Sequence, residues 1–159
     1  MNLLESRSFQ ALYFAICAEL GREPDRDMPV EDDAPAFEIQ VDNVEFLVTY
    51  DPAGVPDLLT IRALFGTVDA QNADELIRIL ALNLMMSEQG SATFGVDPAT
   101  LGLIYSCKGR LSTVTAATLL ESLQSAARLA ADWHRDPFQP ASFPGELSPL
   151  EMVSPQMRV

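Results

Sequence analysis

The stretch from Phe37 to Tyr50 constrains this chain more than any other. Phe37, Ile39 and Val41 alternate with Glu38 and Gln40; after Asp42-Asn43, Val44, Phe46, Val48 and Tyr50 alternate with Glu45, Leu47 and Thr49. A period of two is the mark of half-buried β-strands. Asp and Asn tolerate the positive φ that a two-residue hairpin turn demands. A turn of that length sets Val41 opposite Val44, Ile39 opposite Phe46 and Phe37 opposite Val48. All three apolar pairs then share one face, so turn and pattern agree on register. The turn-rich Asp51–Pro56 follows, then a strand over Asp57–Phe65 with Leu59, Ile61, Ala63 and Phe65 on one face and Leu58, Thr60, Arg62 and Leu64 on the other. An antiparallel meander results.

Helices frame it. Phe9, Leu12, Tyr13, Ile16 and Leu20 make an i, i+3, i+4, i+7 stripe over Leu4–Leu20, which Gly21 closes, and Phe14 falls off the stripe. Asn72 opens a second helix to Gln89, with Glu75 three residues on. That helix is apolar on two sides. Leu76, Ile77, Leu80 and Leu84 form one arc, expected to cover the sheet; Ile79, Leu82 and Met86 form another, expected to pair with a second copy of the same helix. A short strand over Ser91–Val96, a turn through Asp97-Pro98-Ala99-Thr100 and a strand over Leu101–Cys107 come next. Ile104 interrupts the polar face of that last strand. Ser112 or Thr113 is expected to cap a third helix running to about His134, striped by Leu119, Leu123, Ala126, Ala130 and Trp133. The fold class is therefore α+β: a twisted antiparallel sheet of about five strands with three helices, in the order α-βββ-α-ββ-α.

Two segments have no period. Glu23–Pro35 carries three prolines and six carboxylates, without the ligand order of a calcium loop, and reads as a solvated acidic linker. Five of the eleven prolines fall after Asp136. This divides the chain into a domain over 1–136 and a Pro-rich flexible tail over 137–159. Pro137-Phe138-Gln139-Pro140 has PxxP spacing, which arises easily by accident.

Composition removes whole classes of function. The 159 residues carry a formal charge of −13. Phosphate backbones and anionic lipid surfaces would repel such a chain, so neither nucleic acid nor membrane is an expected partner. No apolar run reaches the length of a bilayer span, and the N-terminus lacks the layout of a signal peptide. Cys17 and Cys107 are the only thiols and His134 the only imidazole. They make neither a zinc site nor a disulfide framework, and nothing around Cys107 or His134 reads as an activated nucleophile. No catalytic residue, cofactor or metal is expected.

Size, charge and element order together resemble the Tir-chaperone family, the class I chaperones of bacterial type III secretion. Four patterns carry the resemblance across Glu5 to Arg135: the Phe37–Tyr50 hairpin with its following strand; Leu76-Ile77-Arg78-Ile79-Leu80-Ala81-Leu82-Asn83-Leu84; Ala92-Thr93-Phe94-Gly95-Val96-Asp97 leading to Leu101-Gly102-Leu103-Ile104-Tyr105; and the closing helix to Trp133. The resemblance implies a cytoplasmic bacterial homodimer that binds the N-terminal region of one or more effectors, keeps it non-globular and presents it to the secretion apparatus. The second helix would supply the seam through Ile79, Leu82 and Met86. Effectors would follow apolar grooves and add β-pairing at a sheet edge, with Phe14, Leu47, Leu58 and Leu64 as candidate contacts. The rival reading is an adaptor of the same fold that binds a folded partner.

Overall fold

A computed structural model describes residues 3–24, 30–31, 34–89 and 92–135. Most of the Glu23–Pro35 linker, Gly90, Ser91 and the whole 137–159 segment lie outside the described residues. The elements run α1 (Leu3–Glu19), β1 (Val30–Glu31), β2 (Ala34–Val41), β3 (Val44–Tyr50), β4 (Leu58–Thr67), α2 (Ala73–Gln89), β5 (Ala92–Val96), β6 (Gly102–Arg110) and α3 (Ala116–Arg135). All strands join one sheet in the order β1-β2-β3-β4-β6-β5, and every pairing is antiparallel.

The hairpin register is the one its sequence sets: Val41↔Val44, Ile39↔Phe46 and Phe37↔Val48. Asp42 and Asn43 take φ of 48° and 67°, the paired left-handed conformation of a tight two-residue turn. β2 starts earlier than Phe37, because Ala34 and Pro35 pair with the two-residue strand β1 inside the acidic linker. A proline fits there because β2 is next to the edge of the sheet.

One face of the sheet is dry. Phe37, Phe46, Val48, Tyr50, Leu59, Ile61, Phe65 and Leu103 are essentially solvent-free. They pack beneath Phe9 and Ile16 of α1 and Leu119, Leu123 and Ala127 of α3. The Phe9 ring lies 5.2 Å from Phe37 and 5.6 Å from Tyr50. A second aromatic group, Phe65, Phe94 and Tyr105, fills the core toward α2, with Phe65 stacked on Tyr105 at 5.1 Å. The opposite face carries no helix among the described residues.

Two local expectations change. The α3 cap is Thr115, not Ser112 or Thr113: its hydroxyl accepts the Thr118 amide at 3.2 Å while the Thr118 hydroxyl accepts the Thr115 amide at 3.0 Å. Ser112 is drawn instead to Asp57, donating from both its amide and its hydroxyl at 2.6 Å.

The second change concerns α2. Ile79, Leu82 and Met86 are buried to 5, 5 and 1% exposure within this one chain, so the expected two-fold seam through them is corrected. Ile77, Leu80 and Leu84, expected to cover the sheet, point outward at 62, 68 and 64% exposure. The arcs exist as the spacing sets them, with inner and outer sides exchanged. Asn83 supplies the reason. Its amide donates to the Phe94 carbonyl at 2.9 Å and its carbonyl accepts the Phe94 amide at 2.6 Å, which turns its side of the helix, shared with Ile79, Leu82 and Met86, toward β5.

Candidate partner-binding surface

Among the described residues three surfaces stand open: the outer edge of β2, the uncovered face of the sheet, and the outward arc of α2.

The β2 edge follows from hairpin geometry. A two-residue turn makes Val41↔Val44 a hydrogen-bonded pair, and such pairs alternate along the ladder. Glu38 and Gln40, both exposed, therefore direct their N–H and C=O groups away from β3, beyond the last β1–β2 pair, Val30↔Pro35, and no described strand pairs with them there. Beside this edge runs a groove of about 110 Å³ between α1 and β2, lined by Tyr13, Ile16, Leu20, Phe37 and Ile39 with Arg22, Glu23 and Glu38 also in its wall. Outward-directed strand groups next to a groove with apolar side chains are what an added strand requires. The opposite edge differs: at Phe94 the outward N–H and C=O of β5 are already taken by Asn83.

The uncovered face is mixed. Leu47 lies opposite Arg62, and Leu64 opposite Ile104. These four residues share the wall of a concavity of about 840 Å³ at one end of the sheet. Glu38, Asp42, Glu45 and Asp97 stand around it. The Asp97 carboxylate is held below its ordinary range by hydrogen bonds from the Ala99 amide and the Thr100 hydroxyl, each at 2.8 Å.

Of the expected contact residues, the structure brings Leu47 and Leu64 to this one concavity. Leu58 lies on the same face but at its other end, opposite Arg110. Phe14 is apart from both, 40% exposed on α1, its ring 5.8 Å from that of Tyr13, which lines the β2 groove. Sequence reasoning missed Ile104 and the carboxylates as parts of one surface. The alternation marked their face, but not which strands lie side by side.

Among the described residues no three His, Cys, Asp or Glu side chains are grouped to hold a metal. Burial pushes the Cys107 thiol up to about 11, away from thiolate reactivity. His134 sits against Gly66 at the end of β4, where the glycine takes φ +144° and an added Cβ would come within 3.1 Å of the imidazole. No described helix is long and apolar enough to cross a membrane.

Comparison with known proteins agrees with this geometry. The profile of the Tir chaperone protein (CesT) family matches residues 17–134. Among solved structures, a chain of the HopA1–SchA chaperone–effector complex aligns with a TM-score of 0.65 at 13% identity, over 84% of this chain and 98% of that one. A chain of the ExsC–ExsE complex gives 0.64 at 14% identity, over 85% and 96%. A chain of the Yersinia pestis complex of the type III secretion chaperone SycH with a stable fragment of YscM2 gives 0.59 at 16% identity, over 78% and 98%. At these identities the likeness is one of fold. No curated protein matches the sequence.

Proposed function

Because the chain belongs to the Tir chaperone protein (CesT) family, we propose that it is a cytoplasmic type III secretion chaperone that binds the N-terminal segment of one or more effectors, holds it non-globular and presents it to the secretion apparatus. The observation that carries this reading is the open β2 edge beside the α1–β2 groove. Glu38 and Gln40 offer the backbone donors and acceptors, and the groove takes alternate side chains of an added strand. A folded partner has few free strands to lend; an unfolded segment has many. The role is binding, with no catalytic step and no cofactor.

The working unit in this reading is a homodimer joined through the outward arc of α2. Ile77, Leu80 and Leu84 follow i, i+3 and i+7, and Met85 beside them is 46% exposed. A two-fold axis along this arc makes the surface self-complementary. Each such side chain, fully buried, contributes about 1.5–3 kcal/mol.

The test is capture of the chain with its partners from the organism of origin, followed by mapping of the protected partner segment. A stoichiometric partner held through an N-terminal segment, protease-sensitive beyond the protected stretch and without near-UV circular dichroism, is the expected result. A partner bound through a folded domain would replace the chaperone reading with that of an adaptor.

A further inference from the structure

The ladder between β3 and β4 stops before either strand does. It runs from Tyr50↔Leu59 to Phe46↔Ala63, yet β3 begins at Val44 and β4 continues to Thr67. The cause lies in the irregularity between Leu64 and Gly66. It keeps β4 on β6, through Leu64↔Ile104 and Gly66↔Leu103, while the extra residue raises the local twist and turns β4 away from β3. The sheet splays, and the concavity of about 840 Å³ is the notch so formed. Ala127 and Ala131 of α3 lie at its base, too short to fill it.

Its chemistry is one-sided. Leu47, Leu64 and Ile104 give it an apolar wall, while Glu38, Asp42, Glu45 and Asp97 face, among the described residues, only Arg62 and the imidazole of His134. We infer that this notch takes a cationic amphipathic segment of the bound protein, with apolar side chains on Leu47, Leu64 and Ile104 and Lys or Arg side chains among the carboxylates. The inference rests on the partner-binding reading above and adds a second contact, separate from the β2 edge. Charge selects this occupant over two others. A second copy brings a net −13 of its own. The chain's own residues 136–159 contain Asp136, Glu146 and Glu151 against Arg158 alone. Like charges across a contact are repelled, and complementary ones set partner choice and on-rate.

The experiment uses the full chain and a labelled twelve-residue peptide alternating leucine and lysine, followed by fluorescence anisotropy at low salt. The same peptide with glutamate for lysine is the counterpart. The lysine peptide is expected to bind and the glutamate peptide not to. Glu45→Lys should weaken binding about fivefold and Leu64→Ser about threefold, with at least tenfold for the double variant, whereas Glu121→Lys on the exposed side of α3 should change it less than twofold. Circular dichroism checks that each variant is folded; because Glu45 and Leu64 are both exposed, each tests the notch independently. Equal losses from Glu45→Lys and Glu121→Lys would reduce the effect to the diffuse field of the protein and overturn the proposal. So would equal binding of the two peptides, or a chain ending at Arg135 that binds tenfold tighter, which would seat the tail in the notch. If a natural unfolded segment is captured but its dissociation constant ignores Glu45→Lys/Leu64→Ser, the notch fails and the chaperone reading stands. If none is captured, the chaperone reading fails on its own terms.

Discussion

Single side chains decide much that periodicity leaves open. Asn83 is the clearest case, a half-buried amide that closes the outer edge of β5 by satisfying both backbone groups of Phe94. Asn83→Ala removes two hydrogen bonds and leaves a partly buried amide and carbonyl unpaired, so a loss of about 1–3 kcal/mol is expected in urea unfolding. Light scattering should rise as well, since the bared edge can pair with another chain. No pattern in the sequence announces this bond: it joins residues eleven apart, and Asp57 with Ser112, fifty-five apart, is as silent. Cys107 gives a pH prediction. Burial raises its thiol from 9.0 to about 11, so folding favours the neutral form. Its contribution is intact below about pH 9, the unfolded value, and falls away between 9 and 11 as the unfolded chain ionises first; two pKa units set the loss at about 2–3 kcal/mol. Tyr105, also raised by burial, acts in the same direction. Cys107→Ala should flatten, without abolishing, the alkaline fall in stability measured between pH 9 and 11.

At the scale of elements, what the sequence tells depends on how local the determinant is. The β2–β3 hairpin is legible to the residue because turn and alternation lie within Phe37–Tyr50 and over-determine one register. The helix α2 is legible as two apolar arcs but not as inner and outer, because both repeat at helical spacing and only contact with β5 distinguishes them. That contact yields a paired prediction. Leu82→Asp places a carboxylate in the core and should leave the chain unfolded by circular dichroism, since an uncompensated buried charge costs several kcal/mol. Leu80→Asp sits on the outward arc, so a folded protein is expected, with its mass by light scattering halved if the α2 seam holds. A folded Leu82→Asp monomer beside an unchanged Leu80→Asp dimer would restore the seam through Ile79, Leu82 and Met86 and turn α2 the other way about its axis.

For the whole molecule, the strands pair in sequence order up to β4, and there the order breaks: the chain crosses through α2 to the outer edge as β5 and returns as β6 between β5 and β4. β4 is the central member, receiving the meander on one side and the β5–β6 hairpin on the other. The partner surfaces were less legible for the same reason: the notch needs the splay of β3 from β4, and the carboxylates around it come from β2, the β2–β3 turn, β3 and the β5–β6 turn. The last core residue among the described residues is Trp133, 6% exposed, with the Arg78 guanidinium 5.4 Å from the centre of its ring. The family profile ends beside it, at residue 134. A boundary after Asp136 is therefore expected to leave the core entire. A chain of residues 1–136 should lose less than about 0.5 kcal/mol in urea unfolding, the range of changes remote from packed features. Ending the chain at Ala130 instead removes Trp133 from the core and should cost about 3–5 kcal/mol, the usual toll of deleting a large buried aromatic. The two truncations bracket the domain edge. A loss of several kcal/mol from the first would mean that residues 137–159 pack on the domain and would move its boundary toward the C-terminus.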